Sequence, residues 1–520
     1  MIMKKLILTL SIFSAAGLTM AQAPDDALRL SLNRPIGTAR SLSLSNAVGA
    51  LGGDYTSIGI NPAGVAVYRS SEFTFTPSLT INNTNSNYYG YSADDDKISF
   101  PLQQIGFVGT YRPMREVTSG LVSSHFSIGY QRTADFNRRS FIQAYKVPSS
   151  LLDEIVYQAD GLSPNDMYSF PRIRVMYDSY LIDPLNEDVY DDHDLSTGYF
   201  HAFEELDENG QPIWGLPEGL NQKRLITESG SAGEFHIAGG LNFSNKVYIG
   251  GLIGIAVENY KRTISHVEVV NTANNNWNYL FNYELNDHLT SSSVGVNLKV
   301  GVIYKPVDPV RLGFSFHSPT LYSVDEEAYY KVTSHTPQSG YTEEGSFRSD
   351  IQEYSYNFRT PYKANASAAF VISNKGLVSV DYEFTDYDAM RFKDRSTSSA
   401  DNTSYYNDLN NDLKKFFKPS HSVRLGAEFR PAEVISLRGG FSWTQNPYSS
   451  YLQNKTELMT YSFGVGYRMN NMYIDLGYML RDQDYDYSLY YSGFVADEYQ
   501  KMAKMKNKDH IVAVTLGWRF

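Results

Sequence analysis

Fourteen stretches of this chain alternate with a period of two residues, and that constrains its fold more than any other feature. At the end of the chain Val512, Val514, Leu516, Trp518 and Phe520 interleave with Ile511, Ala513, Thr515, Gly517 and Arg519. Upstream, Tyr461, Phe463, Val465 and Tyr467 interleave with Ser462, Gly464, Gly466 and Arg468. Successive side chains of a β-strand leave by opposite faces, so period two denotes strands with one apolar face. The same signature occupies Phe73 to Ile81, Ile105 to Tyr111, Phe126 to Tyr130, Phe235 to Phe243, Ile249 to Val257 and Val294 to Val302. It continues through Val310 to Phe316, Ala366 to Ile372, Val378 to Phe384, Val423 to Phe429, Ile435 to Trp443 and Met472 to Leu480.

Connection length separates a soluble sandwich from a transmembrane barrel, because outer-membrane barrels alternate short periplasmic turns with long external loops. Here short links such as Ser244 to Lys246, Arg430 to Glu433 and Met469 to Asn471 alternate with long polar ones such as Asn82 to Lys97, Asp394 to His421 and Asp482 to Lys508. The longest, Ala134 to Ala232, is expected to be a large extracellular loop. The second face of the strands carries Lys299, Arg311, Asp381, Glu383, Arg424, Glu428, Arg438, Arg468 and Asp475. Lipid does not tolerate such charges, whereas a lumen lined by compensating ion pairs and water does. A soluble sandwich with its charged face outward satisfies the alternation alone; loop asymmetry favours the barrel. The expected fold is therefore all-β, a 14-stranded antiparallel transmembrane β-barrel over residues 71–520.

Composition narrows the class further. The chain has no cysteine, which excludes disulfide scaffolds, zinc–thiolate sites and cysteine nucleophiles. Its mean hydropathy of -0.36 rules out a polytopic helical membrane protein. Met1 to Ala23 combines Lys4 and Lys5 with an apolar run from Leu6 to Leu18 and small residues at its end. That is the layout of a secretory signal peptide, expected to span residues 1–21 with cleavage after Ala21. Net charge is -12, and the mature chain is more acidic still, so nucleic acid is an unsuitable partner.

Residues 22–70 do not alternate. They hold clusters of small residues, notably Gly52-Gly53-Asp54 and Asn61-Pro62-Ala63-Gly64. Such clusters permit tight backbone approach and positive φ, suiting a compact hatch packed inside a lumen that fourteen strands leave too wide for side chains to fill. At these residues the sequence resembles the FadL/TodX family of outer-membrane transporters for hydrophobic compounds. The wording from Gly37 to Pro77, with Thr360-Pro361-Tyr362-Lys363, is most similar to the branch found in Bacteroidetes-type bacteria. The resemblance implies an N-terminal hatch carrying Gly52, Gly53, Asn61, Pro62, Ala63 and Gly64, capture of ligand in an apolar pocket, and sideways release through a wall defect. A terminal Phe520 resembles the signal read by the barrel-assembly machinery. The motif covers about a tenth of the chain, and the largest loop follows the third strand, earlier than in better-known members.

A wall defect needs a broken ladder, and proline breaks ladders; Pro77 and Pro361 are the candidates. Ten histidines stand singly, with no HxH or HxxxH pair, and no GxSxG elbow exists, so no catalytic residue, metal or cofactor is expected. His125, His236 and His317 share the lumen-facing parity. Acidic clusters at Asp94–Asp96, at Asp191, Asp192 and Asp194, and at Asp482, Asp484 and Asp486 read as solvated loop edges, the last compatible with Ca²⁺. Ser149 to Gly161 reads as an amphipathic helix ended by Gly161, either a hydrophobic dock or loop packing. The expected protein is a monomeric channel in the outer membrane of a Gram-negative bacterium, surrounded by lipid, admitting long-chain fatty acids or similar compounds without an energy source. Two alternatives from other classes are a structural or secretion-associated barrel that binds a protein partner, and a surface hydrolase.

Overall fold

The computed structural model describes residues 24–520 apart from 33, 35, 114–116, 118, 186–197, 204, 207–211, 214–218, 271–281, 339–340, 396–402, 451–455 and 491–500. The expected signal peptide and the Asp191–Asp194 cluster lie outside the described residues.

Fourteen strands pair antiparallel, each with its neighbours in the chain, and close into a barrel. They are β1 (Glu72–Tyr88), β2 (Tyr91–Ser99, continuing as Leu102–Tyr111), β3 (Leu121–Asp135, continuing as Arg138–Val147), β4 (Leu220–Phe243), β5 (Val247–Val270) and β6 (Asn282–Val307). There follow β7 (Val310–His317 and Leu321–Gln338), β8 (Tyr341–Arg348, Gln352–Arg359 and Lys363–Ile372) and β9 (Gly376–Thr385 and Arg391–Asp394). The circuit is completed by β10 (Ser420–Ala432), β11 (Ile435–Thr444), β12 (Leu458–Met469), β13 (Met472–Tyr487) and β14 (Ala503–Arg519). β14 closes on β1 from Glu72↔Arg519 to Asn87↔Lys504. All fourteen alternating segments are strands of this one ring.

The alternation maps onto two environments. Along β6, Val294, Val296, Leu298 and Val300 are 53–57 % exposed, while Ser293, Asn297 and Lys299 between them are buried. Equivalent exposed apolar residues circle the molecule, among them Ile128, Ile237, Ile253, Phe314, Val378, Leu425, Phe463 and Leu476. Such a belt is unfavourable against water and favourable against hydrocarbon, and closure leaves no unpaired edge in lipid. The chain is thus an outer-membrane barrel of the kind Gram-negative bacteria make. No described helix is long and apolar enough to cross a membrane.

Several segments read as long loops are instead strand. Asn82 to Lys97 is a hairpin, registered from Asn82↔Lys97 to Tyr88↔Tyr91. The stretch 134–232 contains the end of β3, and β4 already starts at Leu220. Strands β4 to β6 run for 24–26 residues, whereas a bilayer needs about ten. Polar residues on both faces of the extra length hid these extensions from a search for one apolar face.

The outer halves carry a helical cap. Helices Leu151–Ala159 and Pro171–Asp178 bury Leu151, Leu152, Ile155, Val156, Ile173 and Met176 against Tyr283, Leu285 and Val332 of β6 and β7. The first helix starts at a capping box between Ser150 and Asp153 and stops before Gly161, whose φ is 79°. Its apolar face is loop packing, not an open dock. The Asp482, Asp484 and Asp486 series stands opposite Lys508, Lys506 and Lys504 in the β13–β14 register, so lysines supply its counter-charge.

Candidate functional site: the lumen and its wall

The segment from Pro24 to Val67 folds as three helices and a turn of 3₁₀ helix: α1 (Pro24–Ser31), α2 (Ala39–Ser43), α3 (Tyr55–Ile60) and Pro62–Val67. Local chemistry starts three of these elements: Thr38 caps α2, Asp54 caps α3, and Asn61 caps the 3₁₀ turn with Pro62 in its first position. Gly52 and Gly53 adopt φ of 61° and 63°, the left-handed conformation that glycine takes without a Cβ penalty.

This segment contacts the inward face of wall strands through their glycines. A Cβ at Gly250 would strike the Pro62 carbonyl, one at Gly301 the Asn61 carboxamide, one at Gly440 the Leu44 backbone, and one at Gly106 or Gly129 the Tyr55 ring. Those wall positions are glycine because backbone or side chains of the N-terminal segment occupy the space a side chain would take. Asn61 is 1 % exposed, and its φ of -138° and ψ of 105° are the extended conformation expected before proline. Its Nδ2 donates to the Gly49 carbonyl at 2.8 Å and the Val302 carbonyl at 3.2 Å, while its Oδ1 accepts from Ala63 N–H at 3.1 Å. Gly64 N–H donates to the Asn61 carbonyl, and Gly53 N–H to the Gly64 carbonyl. The six small or turn-forming residues singled out in the sequence thus meet at one knot. Ala63 within it is fully buried.

The inward charges are mostly compensated. Glu428 meets Arg40 at 3.3 Å, Arg430 at 2.6 Å and Arg438 at 2.8 Å, and Arg438 also holds Asp475 at 2.6 Å. Glu383 binds Arg424 at 2.6 Å and Lys363 at 3.8 Å, and Lys299 binds Glu234 at 2.6 Å. Two charges serve the N-terminal segment directly: Asp381 accepts from Gly49 N–H at 2.8 Å, and Arg311 donates to the Leu51 carbonyl at 2.5 Å. Arg468 stands apart, exposed at the short-turn end of β12. His125 bonds Thr110 and Ser123, His317 meets the Ile60 carbonyl at 2.8 Å, and His236 stacks on Tyr55.

Alternation could not reveal the cavity above this layer. It has a volume of about 420 Å³ and is lined from below by Asn46 and Ile60, from the side by Asp26, Arg29, Leu32 and Arg34, and by wall residues including Arg138, Glu228, Arg262, Arg424, Arg481, Tyr387 and Tyr485. An apolar pocket was expected; the structure has a mixed one, with tyrosine rings beside guanidinium and carboxylate groups. Arg29 binds Glu258 and, at 3.1 Å, Glu326, anchoring α1 to β5 and β7. Among the described residues, Arg34, Arg138 and Arg481 have no carboxylate in salt-bridge contact.

Both candidate prolines lie at strand interruptions. Pro361 faces the gap in β7 at Ser318–Thr320, where Thr360 N–H donates to the Thr320 carbonyl at 3.1 Å and Thr320 N–H to Thr360 Oγ1 at 2.8 Å; hydrogen bonds bridge this interruption. Pro77 sits at a register shift opposite the Phe100–Pro101 break in β2. There the far edge of β2 is left open: the β2–β3 ladder runs from Tyr111↔Ser124 to Gln104↔Gln131 and stops. Pro101, which stands opposite Pro77, was missed because it falls between the polar stretch read as a loop to Lys97 and the alternation that starts at Ile105.

No family model matches the chain, and no curated protein sequence does. Among solved structures, a FadL homologue from Pseudomonas aeruginosa is similar with a TM-score of 0.52 at 10 % identity, covering 94 % of this chain and 100 % of that one. The toluene transporter TodX of P. putida is similar at 0.49 and 10 % identity, over 93 % of this chain and 98 % of that one. The closed ring of fourteen strands and the likeness to the first of these over nearly its whole length identify the fold of this chain as the FadL/TodX type.

Proposed function

We propose that this protein is a passive outer-membrane channel that takes up hydrophobic small molecules, with residues 22–70 as a hatch inside the lumen and a lateral exit through the wall between β2 and β3. The observation that carries the reading is the end of the β2–β3 ladder at Gln104↔Gln131 beside the lumen cavity. A closed barrel has no reason to forgo main-chain pairing at membrane depth, where each unsatisfied group costs several kcal/mol, unless the opening is used. Phe100 and Ile98 stand at this opening 82 % and 54 % exposed, apolar surface suited to lead a hydrophobic molecule into lipid.

The mixed cavity narrows the class of cargo. Tyrosine rings suit an apolar body, and Arg34, Arg138 and Arg481 suit an acidic head group, so a long-chain fatty acid or similar amphiphile fits better than a neutral hydrocarbon. The neighbouring structures described as a FadL homologue and a toluene transporter are consistent with a hydrophobic cargo. Uptake of oleate by a deletion strain carrying wild-type protein, compared with empty vector, tests the reading; equal rates would refute it. The helical cap favours one second reading, a scaffold that binds a protein partner. A stoichiometric protein co-purifying in the absence of any bound amphiphile would support it.

A further inference from the structure

Resting on the lateral exit proposed above, we infer that Arg132 is the latch of that exit, a positioning side chain that takes the place of the missing main-chain pairs and sets how often the wall parts. Beyond Gln104↔Gln131 no main-chain hydrogen bond joins β2 to β3 among the described residues, although β3 keeps its ladder with β4 on its other edge through Ala232↔Ala134 and on to Leu220↔Val147. What crosses the seam is side chain. Arg132 Nε donates to the Leu102 carbonyl at 3.3 Å, Lys97 Nζ to the Glu228 carbonyl at 2.8 Å, and Arg139 pairs with Asp95 at 3.0 Å.

Arg132 differs from the other two by position. Going up β3, Phe126 and Ile128 are exposed to lipid and Tyr130 follows on the same parity; Arg132 is next on that face. A cation there is expensive unless it has a specific partner. It has two: the Leu102 carbonyl, freed where β2 breaks at Phe100–Pro101, and Asp135 at 3.7 Å, leaving the side chain only 16 % exposed. An arginine seeking only the head-group layer would extend away from the apolar belt. Instead it turns toward the strand from which β3 is separated. On the lumen side Arg34 N–H donates to the Thr133 carbonyl at 2.8 Å, so the next residue of the same edge is held by the N-terminal segment. Lys97 and the Arg139–Asp95 pair cross farther along; where the ladder stops, the seam is held by one side-chain bond from its lipid face and one main-chain bond from the hatch side. Both can be broken without disturbing any strand ladder.

The chain contains no cysteine, so introduced thiols report alone. Gln103, fully buried at the seam, is replaced in Gln103→Cys and its maleimide labelling followed in proteoliposomes, with uptake of radiolabelled oleate measured in cells. Adding Arg132→Ala is expected to raise the labelling rate about tenfold, the loss from one bond to a charged donor, and to speed oleate uptake. Arg132→Lys is expected to restore most of the closure. A Leu102→Cys/Arg132→Cys pair, which removes the latch and allows a covalent one, is expected to block uptake when oxidised and exceed wild type when reduced. It also supplies the test if Arg132→Ala assembles poorly, since its two states are the same molecule. Labelling unchanged by Arg132→Ala would overturn the latch. Faster labelling with oleate uptake indifferent both to Arg132→Ala and to the disulfide would uphold the latch and overturn the lateral exit.

Discussion

Replacing Asn61 by alanine should open the hatch without unfolding the barrel. The side chain makes three hydrogen bonds: two donated, to the Gly49 carbonyl at 2.8 Å and the Val302 carbonyl at 3.2 Å, and one accepted from Ala63 N–H at 3.1 Å. Val302 keeps its place in the ladders with Ile249 and Phe314, so the wall loses little. Gly49 and Ala63 differ, because the residue that satisfies them is 1 % exposed and water does not replace it. Leaving two buried main-chain groups unpaired costs about 1–3 kcal/mol each, hence about 2–6 kcal/mol in all. Because every 1.4 kcal/mol is a factor of ten, the closed-to-open ratio of the hatch should fall by roughly 30-fold to roughly 20,000-fold. The variant should still migrate as a heat-modifiable barrel, since all fourteen ladders remain. In planar bilayers it should show raised basal conductance, with frequent openings where the wild type is closed. Gly301→Val, which drives a side chain into the Asn61 carboxamide from the wall, should reach the same end by a different route. Normal assembly of both variants with wild-type basal conductance would refute the reasoning and reduce the Asn61 knot to a structural corner.

Three further outcomes are expected. Deleting Asp26 to Ser57 should leave a folded barrel with higher permeability to small polar solutes, measurable by liposome swelling. Arg438→Ala removes the one ion-pair partner that Asp475 has among the described residues and leaves that carboxylate buried, so urea unfolding should show a loss of about 3 kcal/mol; adding Asp475→Asn should recover much of it. Glu326, on β7 beyond the apolar belt, is pushed up to about 8 by burial and then by the neighbouring Asp26 charge, with Arg29 opposing. A carboxyl whose pKa is higher when docked than when free favours docking at low pH, and that contribution is lost as pH rises from about 4.5 through 8. Basal conductance should therefore climb between pH 5 and pH 8, and Glu326→Gln should flatten the climb.

The alternation of residues such as Val294 to Val302 was sufficient to count the strands, face them and close the ring, because lipid on one side and a polar lumen on the other impose a two-residue period that each strand carries by itself. The Asn61-Pro62-Ala63-Gly64 knot was legible for a related reason: a cap, a fixed φ and close backbone approach are local demands that name their residues. Strand extensions above the bilayer were not legible, since at Asn82–Lys97 or Leu220–Ala232 both faces meet polar surroundings and the period disappears. Nor could any local pattern show that Arg29 of the first helix reaches Glu258 and Glu326, or that a Tyr55 ring is why Gly106 and Gly129 are glycine. Those contacts join residues tens to hundreds of positions apart. The seam shows the division most plainly. Pro77 could be suspected from its own chemistry, but its consequence depends on Pro101 lying opposite, on the β2–β3 ladder ending at Gln104↔Gln131, and on Arg132 crossing to Leu102. Which edges stay unpaired is a property of how strands meet, and only the closed barrel decides it.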